Sequence, residues 1–129
     1  MSTPDYYKYD DGETHFECFD ISRYYSGDWA QVIQYVFRWQ KKSGVEDLEK
    51  ALACAKDARN NGIVPMTITN NRIICLTISR KFCVLCNNNF SNAKKVWESL
   101  WSNYDSTDET IDALKEMIED AKAAAERVQ

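Results

Sequence analysis

The sequence predicts an α+β fold, with an N-terminal helical hairpin, a three-stranded antiparallel β-meander and two C-terminal helices. The period of the apolar residues is helical before residue 62 and after residue 91, and is two in between. A length of 129 residues with 44% hydrophobic residues fits one domain with a modest core.

The predicted hairpin joins a helix from about Asp28 to Lys42 with a second helix that begins after Ser43 and ends near Gly62. The apolar residues of the first helix have the spacing of a buried stripe. This stripe consists of Trp29, Val32, Ile33, Val36 and Phe37. Ser43 and Glu46 have the spacing of a capping box, and the short link predicts that the two helices pack against each other.

The meander is predicted at residues 66–69, 72–79 and 82–87, which are rich in Ile, Thr, Val and Phe. Asn70 and Asn71 can adopt positive φ and suit a tight turn, and residues 79–81 form a weaker one. Before the hairpin, residues 1–15 are expected to be extended or mobile. A short helix is predicted within residues 16–25.

Two further helices are predicted, from about residue 92 to 103 with Ser91 as the cap, and from about residue 107 to 127. Ser106 and Glu109 form a second capping box. The last helix carries a narrow apolar seam, which predicts docking on a partner or on a second copy in a homodimer. The seam residues include Ile111, Leu114, Ile118 and Ala121.

The charge balance argues against several classes of partner. The net charge is −4, so a general nucleic-acid or membrane-binding surface is not expected. No apolar run is long enough to span a membrane, and the polar N-terminus does not resemble a signal peptide. Five cysteines without a secretion signal predict free thiols in the cytoplasm.

Candidate catalytic and metal-binding motifs are few. Cys83 and Cys86 form a C-x-x-C, but they would face opposite sides of a strand and no second pair accompanies them. His15 is the only histidine and lies in the acidic N-terminal segment. No glycine-rich phosphate loop occurs, so a conventional kinase or dinucleotide site is not supported.

One face of the first helix carries the candidate binding residues. Tyr35, Arg38 and Lys42 share this face with Gln31, and Trp39 adjoins it. Aromatic rings beside a guanidinium and an ammonium suit a nucleotide, through stacking on the base and charge on the phosphate. Helix electrostatics alone would also favour basic residues at this end of a helix, so that alternative stays open.

The start of the second helix adds to this surface. Its free amides favour an anion, and Glu46 and Asp47 in its first turn could hold Mg²⁺ beside a phosphate. No other cofactor is expected, and no metal site belonging to the protein itself is predicted.

Four segments together resemble a known family. They are ECFDI (residues 17–21), VIQYVFR (32–38), KKSG (41–44) and EDLEKA (46–51). Their order and spacing resemble the SaV-like phage domain, a family of uncharacterised function, over about residues 6–58. The chain then divides into a mobile segment (1–15), a SaV-like helical part (16–62), the meander (63–90) and the C-terminal helices (91–129).

The resemblance implies a phage or prophage origin and nucleotide handling, since a related coliphage protein is a nucleotide kinase. The site residues that it implies are Glu17, Asp20, Tyr35, Arg38, Lys42, Asp47 and Lys50. The sequence departs from the family where Tyr6-Tyr7 replaces His-Tyr and Gln34 replaces a lysine. We therefore expect binding rather than catalysis, with a nucleoside monophosphate kinase-like activity as the enzymatic alternative.

Two hypotheses for function remain. In the first, the chain is a host-interaction protein that binds a nucleotide or a nucleotide-derived ligand through the hairpin. In the second, it is a non-enzymatic acidic inhibitor that binds a host protein, such as an anti-phage or CRISPR defence complex. Both place it in the cytoplasm of the infected bacterium.

Overall fold

Helices make up most of the fold. The computed structural model describes residues 3–87, 93–102 and 104–127, which contain six α-helices and one two-stranded sheet. The helices are α1 (Phe19–Ser22), α2 (Gly27–Arg38), α3 (Val45–Asn60), α4 (Arg72–Asn87), α5 (Lys94–Leu100) and α6 (Thr107–Arg127). The strands are β1 (Lys8–Asp10) and β2 (His15–Glu17). The predicted three-stranded meander is wrong.

A β-hairpin occupies the segment that the sequence predicts to be extended or mobile. β1 and β2 are antiparallel, and Tyr9 pairs with Phe16 in the register, with both rings buried. The Asp11 carboxylate accepts hydrogen bonds from the amides of Glu13 (3.0 Å) and Thr14 (2.7 Å), which closes the turn. The backbone of both strands is extended, which is one of the two expected states, and the polar composition conceals the two buried rings.

α2 and α3 form the predicted helical hairpin and pack against each other. All five residues of the predicted stripe on α2 are buried, which confirms that prediction. α2 is shorter than predicted: it ends at Arg38, and a 3₁₀ turn over Trp39–Lys41 follows it. On α3, Leu48, Ala51 and Ala55 are buried, and the small alanines allow a close approach.

α4 is one helix where the sequence analysis predicts two strands joined by a turn. Its buried residues are spaced by four, three and one positions, as on one side of a helix. They are Ile78, Phe82, Leu85 and Cys86. Nearly continuous apolar composition fits either period, and strand propensity depends on context. Packing of one side against α1 and α5 decides in favour of the helix.

The predicted Asn-Asn hairpin turn is instead the start of α4. The Asn71 Oδ1 atom accepts hydrogen bonds from the amides of Ile73 (3.0 Å) and Ile74 (3.2 Å). Asparagine in this position satisfies amides that have no partner within the helix. Of the predicted first strand, residues 66–69, the described chain keeps a single bridge between Thr67 and Tyr25.

α5 covers the middle of the fourth predicted helix. The first and last predicted positions and the predicted cap Ser91 lie outside the described residues. Trp97 is buried, and the centroid of its ring lies 6.4 Å from that of Phe37 and 5.8 Å from that of Phe82. α5 therefore joins α2 and α4 in one core.

α6 has the predicted bounds but a different cap. The Ser106 hydroxyl donates to the carbonyl of Ser99, and among the described residues it forms no hydrogen bond with Glu109, so the predicted capping box is absent. Asp105 takes this role: its Oδ1 atom accepts the amide of Thr107 at 3.1 Å and the hydroxyl of Thr107 at 2.6 Å. Both hydrogen bonds lower the pKa of Asp105, and the one from the Thr107 hydroxyl has the larger effect.

The predicted partner seam of α6 belongs to the core of the protein. Ile111, Leu114 and Ile118 are buried, and Ala121 is half-buried. α6 packs against α3 and α5, so the chain itself covers this seam. Its predicted use for dimerisation or docking is therefore corrected.

Candidate functional site

The bend between α2 and α3 depends on Gly44. Its φ of 59° and ψ of −135° form a conformation that residues with a Cβ atom rarely adopt, and its amide donates to the carbonyl of Trp39 at 2.7 Å. α3 begins without a side-chain cap, so the predicted capping box of Ser43 and Glu46 is absent. Instead, the Ser43 amide donates to Asp47 Oδ2 at 3.2 Å, which brings this carboxylate into the bend.

Arg38 and Asp47 form a buried, bidentate ion pair across the bend. Arg38 Nε lies 3.2 Å from Asp47 Oδ2, and Nη2 lies 3.0 Å from Oδ1. The side chain of Asp47 is 0% exposed and that of Arg38 is 12% exposed. Arg38 Nη1 donates to the Tyr7 hydroxyl at 2.9 Å. Burial acts to lower the pKa of Arg38, but the hydrogen bonds with Asp47 and Tyr7 outweigh it and raise the pKa.

This pairing changes the roles of two predicted ligand-binding residues. The guanidinium of Arg38 is already neutralised by a carboxylate, so it has little charge to offer a phosphate. Asp47 is buried and its oxygens are occupied, so it cannot serve as a ligand of Mg²⁺. Both residues instead fix the geometry of the bend.

The rings of Tyr6 and Tyr35 both lie against the Arg38 guanidinium, and each ring also contacts one lysine. We call Tyr6, Tyr35, Lys42 and Lys50 the tyrosine–lysine surface. The guanidinium carbon lies 4.9 Å from the Tyr35 ring centroid and 5.9 Å from that of Tyr6. Lys42 Nζ lies 4.9 Å from the Tyr6 centroid, and Lys50 Nζ lies 5.9 Å from the Tyr35 centroid. Both tyrosines are half-buried, so part of each ring meets solvent.

The two lysines differ in how far their charge is compensated. Lys50 pairs with Glu46 across one turn of α3, at 3.4 Å. Lys42 is exposed and forms no ion pair with any residue in the described ranges. Lys42 is therefore the cation of this surface that an incoming anion can use.

Two N-terminal tyrosines belong to the candidate site although they are not among the predicted ligand-binding residues. Tyr6 and Tyr7 lie on a 3₁₀ turn (Asp5–Tyr7) that packs against α2. The available signal is their position, because they stand where the resembled family has His-Tyr. The spacing of apolar residues offers no such signal, because it does not predict that the N-terminal turn contacts the helical hairpin.

Trp39 is not on the tyrosine–lysine surface. Its side chain packs against the core, and its indole N–H is buried with no hydrogen-bond partner among the described residues. The predicted stacking role therefore fits Tyr35 and Tyr6 better than Trp39.

Glu17 and Asp20 lie at the junction of β2 and α1. The Asp20 carboxylate accepts the amide of Glu17 at 2.8 Å and lies 3.6 Å from Arg23. Neither acid forms an ion pair with Lys42 or Lys50 among the described residues. Asp20 thus organises the start of α1. Neither Glu17 nor Asp20, both predicted as binding residues, belongs to the tyrosine–lysine surface.

Asp28 and Asp57 form a carboxyl pair that the sequence analysis does not identify. A hydrogen bond between the two side chains, with burial and charge repulsion, raises the pKa of Asp28. Close by, the Cys54 thiol donates to Gln31 Oε1 at 3.1 Å, and burial raises the pKa of Cys54. Gln31, predicted beside Tyr35, therefore contacts α3 instead.

The C-x-x-C motif lies on a helix rather than a strand. Cys83 is exposed and Cys86 is buried, and both are free thiols. Burial raises the pKa of Cys86 to about 11, so its thiol stays protonated at neutral pH. Across the described ranges, no group of three or more His, Cys, Asp or Glu side chains is placed to hold a metal ion.

Comparison of the chain with protein-family models, with curated proteins and with solved structures finds no match in any of the three. Within the described part of the chain, no helix combines the length and the apolar character needed to cross a membrane.

Proposed function

We propose that the chain binds a nucleotide or a nucleotide-derived ligand at the tyrosine–lysine surface, as a binding protein rather than an enzyme. One observation supports this proposal most directly: the rings of Tyr6 and Tyr35 both contact the Arg38 guanidinium, and each ring also contacts a lysine. The two rings come from separate parts of the chain, the N-terminal turn and α2. A half-exposed ring held by a cation offers a platform for a planar base.

Each residue has a defined role in this proposal. Lys42, which lacks an ion-pair partner in the described chain, neutralises a phosphate, since charge-assisted hydrogen bonds are stronger than neutral ones. Arg38 and Asp47 act from beneath by fixing Tyr35 and the bend. If the nucleotide carries Mg²⁺, the exposed carboxylate of Glu46 is the acid that can approach it.

The biological setting is part of the proposal. The resemblance to the SaV-like domain supports a phage or prophage origin, and hence the cytoplasm of an infected bacterium. Binding of a host protein remains a separate proposal, because it needs a surface other than this one.

Calorimetric titration tests the nucleotide proposal. The wild type would be titrated with nucleoside mono-, di- and triphosphates and cyclic nucleotides, with and without Mg²⁺. For any ligand that binds, Lys42→Ala is expected to weaken affinity about tenfold, as the loss of a charge-assisted hydrogen bond predicts. Lys115→Ala removes an exposed lysine of α6 and serves as the matched control, with unchanged affinity expected.

Three outcomes would contradict the proposal. The first is the absence of heat with every nucleotide. The second is an equal loss of affinity in Lys42→Ala and Lys115→Ala. The third is conversion of a nucleoside monophosphate in the presence of ATP, followed by phosphorus NMR, which would make the chain an enzyme.

A further inference from the structure

The charges of the chain are strongly segregated along the sequence. All 20 acidic residues lie outside residues 58–97, and every charged residue within that stretch is basic. These residues are Arg59, Arg72, Arg80, Lys81, Lys94 and Lys95. An acidic protein therefore contains one continuous basic segment, with α4 at its centre.

The cations of α4 differ from the other three. Arg59 lies 3.7 Å from Asp108, Lys94 lies 3.7 Å from Glu98, and Lys95 lies 2.9 Å from Glu116. By contrast, the basic residues of α4 form no ion pair within the described ranges. They are Arg72, Arg80 and Lys81. The charge of this helix is thus left uncompensated by the part of the chain that the structure describes.

The same helix exposes large apolar side chains. Ile73 is 78% exposed and Leu76 is 53% exposed, and Ile68 just before the helix is 67% exposed. Ile73, Leu76 and Arg80 follow one another at spacings of three and four, so they lie on one side of α4. We call Arg72, Ile73, Leu76 and Arg80 the α4 outer face.

A cleft borders this face. It lies between α1 and α4, has a volume of about 150 Å³, and is lined by Ile73, Thr77 and Lys81 among others. A space of this size holds one benzene-sized group. Among the described residues that line the cleft, Asp20 is the only acidic one, and it is paired with Arg23.

We propose that the α4 outer face is the docking surface for an acidic amphipathic segment of another protein. Apolar side chains at the centre of a patch and charges at its rim are the arrangement of protein interfaces. Burial of Ile73 and Leu76 supplies the apolar contribution, and carboxylates of the partner meet Arg72, Arg80 and Lys81. One apolar side chain of the partner occupies the cleft.

A nucleic acid fits this face less well. Phosphate recognition depends on the number of cations, and this face also exposes two large aliphatic side chains, Ile73 and Leu76. Exposed isoleucine and leucine gain little from a phosphate backbone, whereas they gain from the apolar side of a helix. The face therefore favours a protein partner, and nucleic-acid binding becomes an outcome of the test.

Fluorescence anisotropy with two labelled peptides tests this proposal. One model peptide has leucine on one side of a helix and glutamate on the other sides, and the second has lysine in place of glutamate. The acidic peptide is expected to bind and to bind more weakly as salt increases, since salt screens exposed charges. The basic peptide is expected not to bind.

Two variants locate the binding on α4. Arg80→Glu and Leu76→Ser should each weaken the acidic peptide about tenfold. The matched controls are Lys115→Glu for charge and Tyr104→Ser for an exposed apolar side chain elsewhere. Leu76 and Arg80 are exposed, so the variants should keep the circular dichroism spectrum of the wild type.

Several results would overturn the proposal. They are equal binding of both peptides, no binding of the acidic peptide at about 1 mM, and equal losses in the control variants. Binding of duplex DNA that Arg80→Glu abolishes would assign the face to nucleic acid. A dimer in analytical ultracentrifugation that Arg80→Glu dissociates would assign it to a second copy of the chain.

Discussion

Arg38 combines a charge, three hydrogen-bonded nitrogens and a position against three tyrosine rings, those of Tyr6, Tyr7 and Tyr35. Its removal would leave Asp47 as a buried carboxylate without a counter-ion, which is far more costly than the loss of an exposed pair. The residue that appears in the sequence as a phosphate ligand is therefore a structural residue.

Arg38→Ala should lower the free energy of unfolding by about 3 kcal/mol, because a buried charge loses its partner. Urea denaturation followed by circular dichroism measures this change. Lys50→Ala, which breaks an exposed pair with Glu46, is the control and should cost less than about 1 kcal/mol. A loss for Arg38→Ala as small as that of the control would show that Asp47 finds compensation elsewhere.

Asp28→Asn should stabilise the protein at pH 7. The hydrogen bond with Asp57 raises the pKa of Asp28 in the folded protein. Asp28 therefore stabilises the fold at low pH, where its carboxyl group is protonated, and this contribution is lost as pH rises through the folded pKa. Asparagine keeps the hydrogen bond and removes the repulsion, for a gain of about 0.5 kcal/mol at this half-buried site.

The measurement for this substitution is urea denaturation of wild type and Asp28→Asn at pH 7 and near pH 3, below the ordinary pKa of aspartate. The gain should disappear at the lower pH. An equal gain at both values would mean that the carboxyl pair is not its origin.

Among the elements, α4 is where sequence patterns fail. Its isoleucines, its threonine and its phenylalanine favour a strand locally, while the spacing of its buried side alone indicates a helix. Apolar residues on the outer face, Ile73 and Leu76, hide that spacing. If the α4 outer face binds a partner, as proposed, the feature that misleads the prediction is the one that serves binding.

Asn71→Ala should destabilise the protein by about 1 kcal/mol, since the amides of Ile73 and Ile74 lose their cap. Asn71→Asp should preserve stability because a carboxylate accepts the same hydrogen bonds. Thermal unfolding followed at 222 nm compares the two. In a hairpin turn Asn71→Gly would be favourable, so stabilisation by glycine would contradict the helical cap.

The helices that the sequence predicts correctly have polar outer sides. They are α2, whose predicted buried stripe is confirmed, and α6, whose bounds are as predicted. The ion pair of Arg38 with Asp47 could not be predicted, because it depends on the 3₁₀ turn and on the positive φ of Gly44. Likewise, the contact of Tyr7 with Arg38 depends on the path of the N-terminal hairpin.

For the whole molecule, the α6 seam completes the core rather than an interface between chains. Leu114→Ala should therefore lower the free energy of unfolding by about 2–5 kcal/mol, through lost burial and a cavity. Leu76→Ala on the exposed side of α4 is the control and should change it by less than about 0.5 kcal/mol. Urea denaturation gives both values.

Sedimentation of the same variants separates the two roles of the seam. A folded Leu114→Ala protein should sediment as the wild type does. A smaller particle with unchanged intrinsic stability would restore the seam as an interface between chains.

The close connection of α2 and α3 has a consequence for how the chain folds. Arg38 and Asp47 are separated by one short bend, and closure of a loop of about ten residues takes roughly 10–100 ns. α6 must instead reach α3 across the whole of α4 and α5. Contacts distant in sequence form slowly because of their loop-closure entropy. In pulsed hydrogen exchange during refolding, the amides of α2 and α3 should thus gain protection before those of α6. Simultaneous protection would mean that the hairpin has no stability before the core closes.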